Sequence, residues 1–217
     1  MLSVASNKGL LAAAGPQSVV VAATEEVRKA YEAPDGGKIK PFNPQITLNL
    51  GIRISQVAFS TDEQWLVLCA EDGGGLAVYQ VQSLLEGATQ PSFEISTNRS
   101  AVRTLLPNPT IEKADLFAVV TTNGQLLMAN LQSRQFISGS QGQVLQENVS
   151  SVSWSNKGKQ LVAGLGNGLC TQLTPEGQIK GELPAPPNLD GDRHGISSLA
   201  SVTTKLTSLG SFVTKLA

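Results

Sequence analysis

One unit recurs along the chain and limits its possible folds more than any other feature. It consists of an alternating apolar-polar strand, a polar turn, a more fully apolar strand, a glycine-centred turn and another alternating strand. One clear copy runs Ile54-Ser55-Gln56-Val57-Ala58-Phe59-Ser60, turns at Thr61-Asp62-Glu63-Gln64, and continues as Trp65-Leu66-Val67-Leu68-Cys69-Ala70, Asp72-Gly73-Gly74-Gly75 and Leu76-Ala77-Val78-Tyr79. The other runs Val149-Ser150-Ser151-Val152-Ser153-Trp154-Ser155, turns at Asn156-Lys157-Gly158-Lys159, and continues as Gln160-Leu161-Val162-Ala163-Gly164, Gly166-Asn167-Gly168 and Leu169-Cys170-Thr171-Gln172-Leu173. Alternation sends Val57 and Phe59, or Val152 and Trp154, to one face of a sheet, and a glycine after Asp or Asn supplies the positive φ of a tight hairpin. The apolar middle strand suits a sheet covered on both faces.

Two weaker copies extend the pattern. One is Phe117-Ala118-Val119-Val120-Thr121-Thr122, Asn123-Gly124 and Gln125-Leu126-Leu127-Met128-Ala129-Asn130-Leu131; the other is residues 9–14, turning at Gly15-Pro16 into Ser18-Val19-Val20-Val21-Ala22-Ala23. Corresponding points lie about 45 to 55 residues apart, the length of one four-stranded propeller blade with its loops. The fold class read from this is all-β, a partial β-propeller of about four WD-like blades. An antiparallel sandwich with look-alike hairpins is the competing architecture.

Composition agrees with many short elements. The chain has 41% hydrophobic and only 5% aromatic residues, with Gly 21 and Pro 11, which favours turns between strands over a few long helices. A formal net charge of -1 gives no long-range pull on polyanions, so no direct nucleic-acid binding is expected. No stretch approaches the roughly 20 consecutive apolar residues of a membrane span, so a soluble chain and no membrane partner are expected. Cys69 and Cys170 each sit in an apolar run without a neighbouring Cys or His, which suits buried thiols in a reducing compartment.

The ends read differently from the middle. The first unit begins almost at Met1, with no room for a preceding strand to complete its blade, and the blade pattern stops after Pro187. The domain reading is therefore a partial propeller over 1–187 and a divergent tail over 188–217. Within the tail, Leu199, Val202, Leu206, Leu209, Val213 and Leu216 are spaced by alternating threes and fours, which would line one face of a helix docked on a partner or on the open propeller edge. The many Ser and Thr residues and Gly210 favour instead a tail without regular structure.

Two stretches carry a family resemblance. Leu2-Ser3-Val4-Ala5-Ser6-Asn7-Lys8-Gly9-Leu10-Leu11-Ala12-Ala13-Ala14-Gly15 and Val152-Ser153-Trp154-Ser155-Asn156-Lys157-Gly158-Lys159-Gln160-Leu161-Val162-Ala163-Gly164, with the continuation Leu173-Thr174-Pro175-Glu176-Gly177-Gln178-Ile179-Lys180, resemble the fungal cytoplasmic-filament FG nucleoporins, counterparts of the metazoan CAN nucleoporin. The resemblance implies a seven-bladed N-terminal propeller, a non-catalytic docking platform at the nuclear envelope, on the cytoplasmic face of the nuclear pore complex. It implies a DEAD-box RNA helicase, recruited for messenger RNA export, and other nuclear-pore proteins as partners. It also implies that the main helicase contacts belong to later blades, so no partner-binding residue is assigned on this chain. No Phe-Gly dipeptide of the family's repeat region occurs in the sequence. A generic WD-like interaction propeller outside the pore is the alternative function, and an adjoining Phe-Gly repeat region would separate the two.

Catalytic and cofactor constellations do not assemble. His194 is the sole histidine, in Asp190-Gly191-Asp192-Arg193-His194, and a triad or metal centre would have to be built around it alone. Asp190 and Asp192 share the opening spacing of a calcium loop, but its later oxygen ligands and closing Glu do not follow. Gly164-Leu165-Gly166-Asn167-Gly168 lies between strands and lacks the helix and Lys-Ser/Thr of a phosphate loop. Asn98-Arg99-Ser100 and Asn148-Val149-Ser150 match glycosylation acceptors without any sign of a secretory route. No enzyme, cofactor or metal is expected.

Overall fold

The computed structural model describes residues 1–32, 43–73, 75–139, 143–183, 196, 198–199, 201–202 and 212–213. The chain divides into two units, Met1–Val102 and Arg103–Ala217. In the first unit, β1 (Leu2–Ala5), β2 (Leu10–Ala14), β3 (Ser18–Ala23) and β4 (Ile46–Asn49) form one antiparallel sheet in sequence order. A second sheet holds β5 (Ile54–Phe59), β6 (Trp65–Ala70), β7 (Leu76–Gln80) and β8 (Phe93–Ile95), again in order. The first sheet corrects the expectation at the start of the chain. Leu2–Ala5 supplies a fourth strand, pairing Ala5 with Leu10 and Leu2 with Ala13, because Ser6-Asn7-Lys8-Gly9 reverses the chain within four residues.

The hairpins explain the aromatic-Ser signature. Ser60 N–H donates to the Trp65 carbonyl at 2.9 Å, and Trp65 N–H donates back to Ser60 Oγ at 3.0 Å. Ser155 does the same with Gln160, at 2.8 and 3.1 Å. Three residues after Ser6, Ser60 and Ser155 the backbone takes a left-handed turn, at Gly9 (φ 62), Glu63 (φ 59) and Gly158 (φ 60). Glycine meets that demand without a Cβ penalty; Glu63 meets it despite one. The two sheets of the first unit share one core, with Ala12, Val19 and Leu48 packed with Val57, Leu66 and Leu68.

The second unit repeats the arrangement. β9 (Val102–Pro107), β10 (Leu116–Thr121), β11 (Leu126–Asn130) and β12 (Gln135–Phe136) form the third sheet; β13 (Val149–Trp154), β14 (Leu161–Leu165), β15 (Cys170–Leu173) and β16 (Ile179–Leu183) form the fourth. Every residue of β10 is buried, as its unbroken apolar run predicts. Ala118, Val120 and Met128 of the third sheet pack with Trp154, Leu161 and Leu173 of the fourth.

Among the described residues two short α-helices and a 3-10 turn, Ile111–Lys113, interrupt the strands. α1 (Thr24–Glu32) connects β3 to the segment before β4, and α2 (Val81–Leu85) follows β7. α1 buries Ala30 and carries exposed Glu25–Arg28 and Glu26–Lys29 pairs at 3.2 and 3.1 Å, each a neighbour pair on a helix surface. In the tail, β17 (Ser201–Val202) and β18 (Phe212–Val213) pair with Ser201 opposite Val213. This corrects the helical reading at Val202 and Val213: both fall in paired strands, a conformation β-branched residues favour. Leu206, Leu209 and Leu216 lie outside the described residues.

Candidate docking surface

The first unit carries an open groove of about 330 Å³. Leu50 and Ile52 approach it from the segment before β5, Leu68 and Tyr79 from the second sheet, and Pro91 and Glu94 from its outer strand and the turn before it. The walls are mostly apolar, and Ile52 keeps 44% of its surface exposed. Burial, and after it the negative charge of Glu94, push the Tyr79 hydroxyl above its ordinary pKa, so it stays a neutral donor at physiological pH. The groove sets apolar contact area beside the Glu94 carboxylate and the Tyr79 hydroxyl. It offers no nucleophile with an adjacent base.

Polar side chains join neighbouring sheets within each unit. In the first, Asn7 and Lys8 donate backbone N–H groups to Glu63 Oε1 and Oε2 at 2.9 and 2.7 Å, and Phe59 N–H donates to Ser3 Oγ at 3.0 Å. In the second, Asn108 Nδ2 donates to the Gly158 carbonyl at 2.9 Å, and Trp154 Nε1 to the Leu106 carbonyl at 3.2 Å. Lys113 Nζ meets Glu176 Oε1 at 2.8 Å. Direct hydrogen bonding to Lys113 is the main reason the Glu176 carboxyl is held below the ordinary carboxylate range. These contacts hold surface loops in fixed positions, which a docking surface requires.

The structure sorts the residues weighed in the sequence. Gly164-Leu165 end β14 and Gly166-Asn167-Gly168 form the β14–β15 turn, closed by Leu165 N–H to the Leu169 carbonyl at 2.8 Å. Cys69 and Cys170 are free and buried, and burial pushes both thiols upward. Asn148 holds a turn with φ 55, its carbonyl accepting the Gly166 N–H. His194, Asp190 and Asp192 lie outside the described residues, as do residues 33–42 and 184–187. Among the described residues no group of three or more His, Cys, Asp or Glu could hold a metal ion, and no helix is long and apolar enough to cross a membrane. In Leu106-Pro107-Asn108-Pro109, where β9 ends, Asn108 is fully buried. Its role as a latch was not visible because its partner, Gly158, is 50 residues away.

Residues 1–207 match the family described as NUP159/214 beta propeller. The chain belongs to this family. It is 55% identical over 196 residues to nucleoporin NUP159 of Chaetomium thermophilum, 27% over 199 residues to nucleoporin nup146 of Schizosaccharomyces pombe, and 25% over 202 residues to nuclear pore complex protein Nup214 of Homo sapiens. These matches cover 88–89% of the chain but only 13%, 14% and 10% of the relatives. Among solved structures, the N-terminal domain of Nup159 superposes with a TM-score of 0.63 at 16% identity, over 87% of this chain and 45% of that one. The β-propeller domain of Myceliophteria thermophila Cps50 (Swd1) gives 0.63 at 13% identity, over 92% and 58%. Both likenesses establish the fold: a partial β-propeller. The chain is thus a NUP159/214 propeller, and the named relatives are nucleoporins and a nuclear pore complex protein.

Proposed function

We propose that this propeller is a protein-docking platform on the cytoplasmic face of the nuclear pore, recruiting a DEAD-box RNA helicase during messenger RNA export. The observation that carries the reading is the family match over residues 1–207. Its physical support is a set of sheets whose connecting turns are fixed by buried side chains, as at Glu63 and Asn108. A net charge of -1 favours a protein partner over direct contact with RNA. On this reading the main helicase contacts belong to later blades, and the 217-residue chain alone is a weak binder.

Interferometry with a purified DEAD-box RNA helicase tests it, using this chain beside the complete propeller of a family member. The complete propeller should bind, and this chain at least about tenfold more weakly, a loss of about 1.4 kcal/mol. Absence of binding by the complete propeller removes the docking reading. Equal binding by the two removes the assignment of contacts to later blades. Immunogold labelling of the full-length protein should place it on the cytoplasmic side of the pore.

A further inference from the structure

Glu94 ends an otherwise apolar line across the second sheet. The pairings set Val57 opposite Leu68, Leu68 opposite Ala77 and Ala77 opposite Glu94, so the four side chains share one face. Val57 and Leu68 belong to the core shared with the first sheet, and Ala77 packs against it. At the outer strand the line stops at an exposed carboxylate. Phe93, one residue earlier and so on the opposite face, meets the Trp65 ring edge-on at 5.5 Å, which pins β8 in that orientation.

Leu68, Ala77 and Glu94 all line the groove of about 330 Å³, with Leu50, Ile52 and Pro91 beside them. Glu94 lies near enough for its charge to act on the Tyr79 hydroxyl, which faces the same groove. Arg28, Lys29 and Arg53 pair with Glu25, Glu26 and Glu71. Among the described residues no cation forms an ion pair with Glu94.

Size and charge together select the occupant. The groove is at the lower end of the roughly 300–1,000 Å³ of ligand pockets, which admits side chains of a short segment and not a folded domain. A wholly apolar occupant covering Glu94 would strand an unpaired charge away from water, and an anionic one would be repelled. A cation beside the apolar contact offsets that cost with a charge pair. A second copy seated through the same groove in two-fold symmetry would bring Glu94 towards its own counterpart. We propose that this groove docks a short extended segment of a partner protein, with a large aliphatic or aromatic side chain over Leu68 and Ala77 and a Lys or Arg beside Glu94. The site stands apart from the helicase reading, whose contacts belong to later blades, and its test needs no helicase.

The test selects a phage-displayed library of short random peptides against the 217-residue chain. The peptide recovered most often is then synthesised with a fluorescein label and titrated by fluorescence polarisation. Recovered sequences should carry Leu, Ile or Phe within about three positions of Lys or Arg. Glu94→Lys should weaken the synthetic peptide at least about tenfold, and on that variant the same peptide with its cation changed to Glu should regain at least about tenfold. Ile52→Ser, which trims the apolar wall and leaves the carboxylate, should also weaken binding at least about tenfold. Glu94 and Ile52 are exposed, and circular dichroism checks that both variants keep the fold. Recovery of no peptide, or of peptides without a cation, overturns the proposal. So does equal affinity for the wild type and Glu94→Lys, or the absence of the charge-swapped regain. A wild type that sediments as a dimer and becomes monomeric in Glu94→Lys gives the groove to a second copy, and overturns it as well.

Discussion

Asn108 and Gly158 are locked together so tightly that no side chain fits between them: the Asn108 amide donates to the Gly158 carbonyl at 2.9 Å, and a Cβ on Gly158 would lie 2.2 Å from Asn108 Oδ1. Gly158 also holds φ 60. Gly158→Ala therefore meets both a backbone penalty and an overlap with a fully buried polar group. A loss of about 2–4 kcal/mol in unfolding free energy is expected, read by urea denaturation. Asn108→Ala removes the overlap, so the double variant should cost less than the sum of the singles.

Glu63 stands where two sister turns have glycine, and its carboxylate is the compensation. Glu63→Ala keeps the left-handed strain and leaves the Asn7 and Lys8 N–H groups without their acceptor, for an expected loss of about 1–3 kcal/mol. Glu63→Gly relieves the strain while losing the same two bonds, so it should be the milder change by about 1 kcal/mol. Thermal midpoints of the three proteins give the order; Ala equal to wild type would deny the carboxylate this role.

Trp154 combines burial with a directed hydrogen bond to the Leu106 carbonyl. Trp154→Phe keeps most of the apolar contact and should cost about 1–2 kcal/mol, whereas Trp154→Ala should cost about 3–5 kcal/mol. Tryptophan fluorescence during denaturation is complicated by Trp65, so circular dichroism is the better probe.

Both thiols are buried and held protonated by their surroundings. Only the thiolate reacts rapidly, so neither Cys69 nor Cys170 should consume a thiol reagent at pH 8 within the time that a denatured sample reacts fully. Prompt reaction of Cys69 in the native protein would contradict its place in the core.

Glu176 has a folded pKa lowered chiefly by hydrogen bonding to Lys113. Its contribution is complete above the unfolded pKa and disappears as pH falls through the lowered folded value. Glu176 is largely exposed, so the contribution is no more than about 0–1 kcal/mol. Glu176→Gln should therefore lower the thermal midpoint slightly at neutral pH and have no effect once the wild-type carboxyl is protonated, which a pH series of melts checks.

The inner hairpins were legible because local chemistry encodes them. Ser60 and Ser155 close their turns on residues five positions away, and alternating apolar residues name the buried face. The outer strands were not legible: β12 is only Gln135–Phe136, and β16 is largely exposed, so neither has a periodic apolar signal. α1 escaped notice although Glu25, Glu26, Arg28 and Lys29 carry the charge order of a short helix. The groove lay beyond reach for a different reason, since Ile52, Tyr79 and Glu94 meet only after the second sheet has formed.

β16 has one further consequence. Its outer side presents Lys180 and Glu182 to solvent, and its pairing with β15 slips in register between Gln172 and Leu173. A strand arriving from another molecule would have to bury exposed charge against a ladder out of step at the same edge. Charge and slipped register at this edge both work against strand addition, the first step of templated fibre growth.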